Sequence, residues 1–396
     1  MRIGLFTDAY LPEISGVTLL VRRLRDELTR CGHDVWVYAP RYARPCDDER
    51  QTFRFRAGPV FAYKTARMSV PYNHKAARSY RRLDIVHSHT PFSLAYAALA
   101  AAYRHRVPHV QTYHTYLSEY RHYIPRAFRP SVRAAEAYSA LLCNRCTAVT
   151  VPTRSIEGEL RRFGVRRPIF VLPSGPDVRL FGLPAVWEPR RALDIPEGAR
   201  IFLYAGRVAE EKNLRFLVRA FGRIHALDST VVFVLAGDGP SRTALEAQAA
   251  AAGLRDAVRF TGFLDQARLV DLYRAADLFV FASKSETQGL VLVEAMAGRT
   301  PAVAVRARGV CDVIDHGVNG FLVSEDEEAF ARRALDAVAE RAGYERLADA
   351  AYDTAVRTSI QSSTQKLLTI YLQSIETLRR SRRHTRGRFG RERRTA

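Results

Sequence analysis

Phe281-Ala-Ser-Lys-Ser-Glu-Thr-Gln-Gly-Leu-Val-Leu-Val-Glu-Ala-Met-Ala-Gly298 is the stretch from which the fold can be read. The apolar run that leads into it, Leu278 to Phe281, reads as a buried parallel strand. A polar turn follows, Ser283 to Gly289. Leu290 to Ala297 contains no breaker and mostly good helix formers, and Gly298 is the expected C-terminal stop. A strand, a glycine-bearing loop and a helix place free backbone N–H groups at the carboxyl edge of a sheet. The positive end of the helix dipole lies there too, so the site suits a phosphate.

Two carboxylates bracket this junction, Glu286 in the loop and Glu294 within the helix, with seven residues between them. A loop carboxylate beside a phosphate site can accept from sugar hydroxyls, and one a turn further on can accept from a ribose diol. Bare spacing is equally that of two surface glutamates. An ionised acid among Leu290, Val291, Leu292, Val293, Ala295 and Met296 nevertheless needs a partner.

The stretch resembles the E-x7-E signature of retaining, nucleotide-sugar-dependent glycosyltransferases. The resemblance implies the GT-B fold: α/β, two Rossmann-like doubly wound domains facing across a cleft, with a C-terminal helix crossing back to the first. It implies that Glu286 touches the donor hexose, that the Gln288-Gly289-Leu290 backbone meets the diphosphate, and that Glu294 holds the ribose. Gly206-Arg-Val-Ala-Glu-Glu-Lys-Asn213, between a strand and a helix, resembles the same family's diphosphate clamp. Arg207 and Lys212 are two cations in one loop, a forked donor and a point charge. Phe263, after the strand opened by Val258, is placed by the resemblance beside the nucleotide base. Arg308-Gly309 departs from the paired glycines that relatives carry there.

The first half begins as strand (Arg2 to Phe6), loop, amphipathic helix (Thr18 to Arg30) and strand (Val35 to Ala39), the opening of a parallel doubly wound sheet. No G-x-G-x-x-G is present, which argues against a dinucleotide oxidoreductase. The loop resembles the family's N-terminal glycine loop, which implies that Gly16 lets the backbone approach the donor phosphates and that Asp8 and Glu13 face the acceptor side. As residues alone, both acids are equally ordinary loop acids.

Asp84 to Thr90 and Pro108 to Tyr116 are strands with polar carboxyl ends, where parallel sheets place ligands. His87 and His89, flanking one serine, are weak evidence for a metal. Thr112-Tyr-His-Thr-Tyr116 resembles the active-site histidine segment of bacterial diacylglycerol glucosyltransferases, which implies that His114 contacts the transferred sugar. By itself His114 is one histidine at a strand end. Cys143 and Cys146 form a single C-x-x-C without a second pair, read as buried thiols.

Expected boundaries are an acceptor-binding domain over 1–173, a nucleotide-sugar domain over 174–358, a helix over 359–378 packing on the first domain, and a basic disordered tail over 379–396. Phe170 to Asp177 is the expected hinge, and residues to Gly198 read as linker. Asn319-Gly320 is a turn signal.

The chain has 396 residues, 47% of them hydrophobic, and a formal charge of +20, which points to polyanionic partners. Arginine crowds the end, Arg379 to Ala396. Basic and aromatic residues mingle from Arg41 to Arg82 and from Tyr116 to Arg133, a mixture suited to an anionic membrane interface, to single-stranded nucleic acid, or to an ordinary basic surface. Five scattered cysteines and the lack of a long apolar run suggest a reducing, cytoplasmic setting, peripheral on the inner membrane face.

The expectation is a glycosyltransferase that moves a hexose from a nucleoside-diphosphate sugar, UDP-glucose, to a membrane lipid such as diacylglycerol. His114, Arg207, Lys212 and Glu286 would form the catalytic set. No metal or cofactor is expected, since the cations would do a metal's work. Nucleic acid is expected to bind only non-specifically, through the tail. The rivals are a soluble or polysaccharide acceptor, a polyanion-binding protein, and an epimerase or phosphorylase on the same architecture.

Overall fold

The computed structural model describes residues 1–13, 15–43, 51–60, 63–114, 117, 124, 126 and 129–392; for 60, 63–66 and 381–392 it describes the backbone only. Cys46, Phe61, most of the basic and aromatic residues from Tyr116 to Phe128, and the side chains of Tyr63, Lys64 and the arginine tail from Arg382 onward therefore lie outside the described residues. The chain divides into two units: Met1–Pro173 with Ser363–Ala396, and Ser174–Ser362.

The first unit is built on β1 (Arg2–Phe6), β2 (Asp34–Pro40), β3 (Thr52–Phe55), β4 (Ala57–Val60), β5 (Tyr63–Ser69), β6 (Ile85–Ser88), β7 (His109–Thr112), β8 (Ala148–Val151) and β9 (Ile169–Val171). All but β4 and β5 form one sheet in the order β3-β2-β1-β6-β7-β8-β9, parallel throughout. β4 and β5 pair as an antiparallel ribbon. The helix Gly16–Arg30 forms because Leu20, Val21, Leu24 and Leu28 fall on one face, all buried, and because Ser15 accepts from the Thr18 N–H at its start. Gly32, at φ 81°, lets the chain turn back into β2.

The second unit carries β10 (Arg200–Ala205), β11 (Val231–Ala236), β12 (Val258–Gly262), β13 (Leu278–Phe281), β14 (Ala302–Val305) and β15 (Gly320–Val323). They form a parallel sheet in the order β12-β11-β10-β13-β14-β15. The four inner strands β10, β11, β13 and β14 are buried almost end to end, as a sheet covered on both faces requires, while the edge strands β12 and β15 are partly exposed. In each sheet the order reverses beside the first strand, between β1 and β6 and between β10 and β13. Such reversals open a crevice at the carboxyl edge.

Several local expectations are corrected. The residues after Pro173 are not an open linker. Val178, Phe181, Trp187 and Leu193 pack on the second core, and buried Asp271 accepts from the backbone N–H of Val186 (2.9 Å) and Trp187 (3.0 Å). The helix does stop at Gly298, as expected, but the left-handed residue is the next one, Arg299, at φ 64°. Gly298 is small for another reason: a Cβ there would lie 2.9 Å from the Tyr273 carbonyl carbon. The turn before β15 is made at Gly317 (φ 82°), while Asn319 is buried, bonding the Asp315 N–H, the Val313 carbonyl and Thr354.

The last helix runs Ile360–Glu392, past Leu378, through an arginine-rich stretch that has no proline but includes Gly387 and Gly390. From Ser363 it belongs to the first unit, where Leu367, Ile370 and Tyr371 are buried; Leu372 is 59% exposed, off the packed face.

Candidate functional site

In the second unit two of the candidate site residues, Lys212 and Glu286, meet where the strand order reverses, between β10 and β13, while Phe263 lies at the edge strand β12. The loop after β10 closes with a 3-10 turn, Glu210–Lys212, ended by Asn213 at φ 56°. The loop after β13 carries Glu286. Because β10 and β13 are neighbours, the two loops meet: Lys212 Nζ lies 2.5 Å from Glu286 Oε1, with side chains 22% and 19% exposed. Arg207 stays outside this pair. Its side chain is half exposed, with Nη1 3.8 Å from Glu211 Oε1.

Other contacts fix the Glu286 loop. Gln288 is buried and clips it to Ser174, accepting from the backbone N–H at 3.0 Å and donating to the carbonyl. Gly309, part of the departure from paired glycines, leaves room for the loop. A Cβ there would stand 2.4 Å from the Glu286 carbonyl oxygen. Gly289 adopts φ 71° and starts the helix Leu290–Ala297 without a side-chain cap, so no capping side chain competes for the first N–H groups. Glu294 has the partner its burial demands: the Tyr273 hydroxyl donates to Oε2 at 3.2 Å. Phe263 stands 69% exposed just beyond β12.

Sequence reasoning missed Glu325. It accepts from Asn213 Nδ2 at 2.6 Å and pairs with Lys284 Nζ at 2.8 Å, tying the end of β15 to both site loops. Its hydrogen bond from Lys284 holds the carboxyl below its ordinary range. The available signal was an acid two residues after a strand.

The first unit holds the other named residues. Gly16 is exposed at the start of its helix, with nothing within 4 Å of where a Cβ would be. Glu13 is half-buried in the preceding turn. Asp8 is buried, and its carboxylate is engaged: it accepts from Ser93 Oγ (2.6 Å), Thr90 Oγ1 (2.7 Å) and the Leu94 N–H (3.2 Å). It thereby caps the helix Ser93–His105, whose N-cap position, Phe92, has no oxygen to offer. Burial raises its carboxyl, against the lowering effect of those hydrogen bonds.

His114 follows β7, partly buried, with Nε2 3.2 Å from Nδ1 of His89. His87 is also buried, with Nδ1 2.6 Å from the Tyr371 hydroxyl and Nε2 2.6 Å from Thr112 Oγ1. Burial drives the histidines to the neutral form: His114 falls to about 4, His109 to about 3, and His87 and His89 well below the ordinary value. Cys143 and Cys146 are free buried thiols, Cys143 pushed up to about 12 by burial. Among the described residues no cluster of three or more His, Cys, Asp or Glu could hold a metal ion, and no helix is long and apolar enough to cross a membrane.

Comparison with known proteins places this geometry. Residues 185–354 match the model of glycosyl transferases group 1, and residues 14–180 that of Glycosyltransferase Family 4. The chain is 34% identical over 320 residues to the alpha-monoglucosyldiacylglycerol synthase of Streptococcus pneumoniae, covering 77% of this chain and 71% of that protein. The enzyme of the same name from Acholeplasma laidlawii is 32% identical, covering 83% and 86%. A GDP-mannose-dependent alpha-mannosyltransferase of Corynebacterium glutamicum is 30% identical, covering 82% and 76%. The crystal structure of Anabaena HepE in complex with UDP superposes with a TM-score of 0.76 at 20% identity, covering 94% of this chain and all of that one. The sucrose-phosphate synthase of Thermosynechococcus elongatus gives 0.76 at 21%, covering 95% and 99%. At those identities the likeness is one of fold.

Proposed function

This chain belongs to the family 4 glycosyltransferases, with a group 1 glycosyltransferase domain in its second half, and on that premise we propose that it transfers glucose from UDP-glucose to diacylglycerol with retention of anomeric configuration. The observation that carries the reading is the Lys212–Glu286 contact at the strand-order reversal, beside an uncapped helix start. It brings a cation for a diphosphate and an acceptor for hexose hydroxyls to one point.

In this reading Lys212, Arg207 and the N–H groups after Gly289 stabilise the negative charge that grows on the departing diphosphate. This is electrostatic stabilisation where charge develops, worth about 10²–10³ in kcat for a single donor in other enzymes. Glu286 orients the hexose. Glu294, steadied by Tyr273, accepts from the ribose. Phe263 lies against the base, Gly16 admits the donor phosphates, and His114 meets the hexose being transferred. Asp8 acts by holding the helix Ser93–His105 in place, and Glu13 lies on the acceptor side.

The lipid acceptor is favoured by the two synthase relatives and by the surface of the first unit. Met68, Val70 and Tyr72 are 57%, 56% and 70% exposed, and exposed Lys75, Arg78, Arg81 and Arg82 follow them. Apolar and aromatic groups beside cations suit an anionic lipid interface. The working place is then the cytoplasmic membrane face.

The test is transfer from UDP-glucose to diacylglycerol in vesicles with and without anionic lipid, with GDP-mannose and soluble sugars as competitors. Glucosyl-diacylglycerol of α configuration, stimulated by anionic lipid and lost in Lys212→Ala, is the expected result. Transfer from GDP-mannose alone, or equal transfer to a soluble acceptor without vesicles, would overturn the donor or the acceptor assignment respectively.

A further inference from the structure

His87 and His89 lie two residues apart at the end of β6, so strand alternation sends both side chains to one face. His114, beyond the neighbouring strand β7, joins them there. The rings form a column. His87 and His89 have centroids 4.1 Å apart, and His89 and His114 have centroids 5.5 Å apart with planes within 14°. Tyr371 of the last helix closes the far end, its hydroxyl on His87 and its ring edge-on at 5.6 Å.

The hydrogen bonding restricts where the protons sit. A neutral imidazole has one N–H and one acceptor nitrogen. The Nδ1 of His89 faces Nε2 of His114 at 3.2 Å, and Nε2 of His89 is buried with no hydrogen-bond partner among the described residues. Were the proton of His89 on Nε2, it would be an orphaned buried N–H, which is rare in folded proteins. The proton therefore belongs on Nδ1, donated to His114. His114 then accepts at Nε2 and carries its own proton on Nδ1.

We propose that His89 is a positioning residue for the transfer reaction: its Nδ1–H locks His114 in the Nδ1–H tautomer and in one ring plane, with His87 and Tyr371 backing the column. His114 is thereby a hydrogen-bond donor at Nδ1, able to bond a hydroxyl oxygen of the hexose. This rests on the reading that His114 meets the transferred sugar, but the tautomer can be observed without it.

The experiment uses the full chain labelled with ¹⁵N-histidine, with the His114 resonances assigned by their loss in His114→Asn. The expected spectrum shows His114 with a protonated Nδ1 and an unprotonated, hydrogen-bonded Nε2. A proton on His114 Nε2 in the unsubstituted protein overturns the proposal whatever the activity of any variant. His89→Phe removes the donor and is expected to lower kcat by about 10–100-fold, as loss of an orienting partner does elsewhere, with the KM for UDP-glucose unchanged and His114 returned to the Nε2–H form. His89→Asn places an amide N–H where Nδ1 was and should restore both the tautomer and most of kcat. Equal losses in both variants, with the tautomer unmoved, would also refute it. If His114→Ala is fully active, the sugar-contact reading fails while the tautomer result stands by itself.

Discussion

The buried histidines of the first unit should make it acid-labile, and the size of the effect follows from where they sit. His109 is buried with Nε2 2.6 Å from Ser88 Oγ. Ser88 gives its only proton to Gln111 Oε1, so His109 must be the donor to Ser88. A second proton has no hydrated place to go, and burial lowers His109 to about 3 and His114 to about 4. Unfolded, each takes up a proton below about 6.5. Stability from these groups is thus complete above that value and drains away as the pH falls toward their folded values. Between about pH 7.5 and pH 5 each contributes a loss of about 2 kcal/mol, roughly 4 kcal/mol for the pair. His87 and His89 are shifted in the same direction and add to it. Asp8, raised by burial, works the other way, since the folded unit takes up that proton first. A whole domain holds only about 5–15 kcal/mol, so the acid effect is a large fraction of it. The chain has two tryptophans, Trp36 in the first unit and Trp187 in the second. Urea unfolding of Trp187→Phe, followed through Trp36 at the two pH values, reads the first unit. His109→Gln keeps a donor for Ser88 but cannot titrate, and should lessen the acid loss by about 2 kcal/mol. An acid loss under about 1 kcal/mol in the parent, or an unchanged loss in His109→Gln, would show that these histidines take up protons in the folded unit much as they do unfolded.

Three further outcomes follow from single contacts. Gln288→Leu strips partners from both backbone groups of Ser174, at about 1–3 kcal/mol for each group left buried and unpaired; calorimetry should show a lower Tm, and the KM for the sugar nucleotide should rise. Gly309→Ala puts a methyl 2.4 Å from the Glu286 carbonyl oxygen and 2.7 Å from the Thr287 carbonyl carbon. Backbone must move, and since a misplacement of about 1 Å can cost about 100-fold, kcat/KM should fall far more than Tm. Asp8→Ala uncaps the helix Ser93–His105 and should destabilise the first unit by about 0.5–2 kcal/mol, with sugar-nucleotide binding, measured by calorimetric titration, unchanged.

What could be read beforehand was what is local. Leu278 to Ala297 announces its strand, loop and helix because burial and the absence of breakers act within a few residues. What could not be read was set by partners far along the chain. The Asp8 carboxylate is engaged by residues more than 80 positions away, and Gln288 is spent on Ser174, 114 positions back. Gly298 is small because of Tyr273, not because of its own dihedral angle. His87 and His89 looked like a poor metal pair. They share a face by strand alternation, but only the neighbouring β7 and the last helix give them His114 and Tyr371.

The two sheets follow one plan, yet neighbouring loops at their carboxyl edges carry opposite chemistry, and burial explains the difference. After β10 and β13 the side chains keep about a fifth of their surface in water, so an ion pair can persist there and its charges remain usable by a charged ligand. After β6 and β7 the imidazoles are packed against one another and against Tyr371, where a charge would go unsolvated, so only neutral donors and acceptors survive. A departing diphosphate needs the first environment; fixing the direction of a hydroxyl needs only the second. Exchanging the roles should therefore fail in a specific way. Lys212→His would leave a group mostly uncharged at neutral pH, and transfer should recover partly as the pH is lowered toward about 6, within the range the first unit tolerates. If Lys212→His instead matched Lys212→Ala at every pH while still binding the sugar nucleotide, charge at that position would not be what the reaction uses.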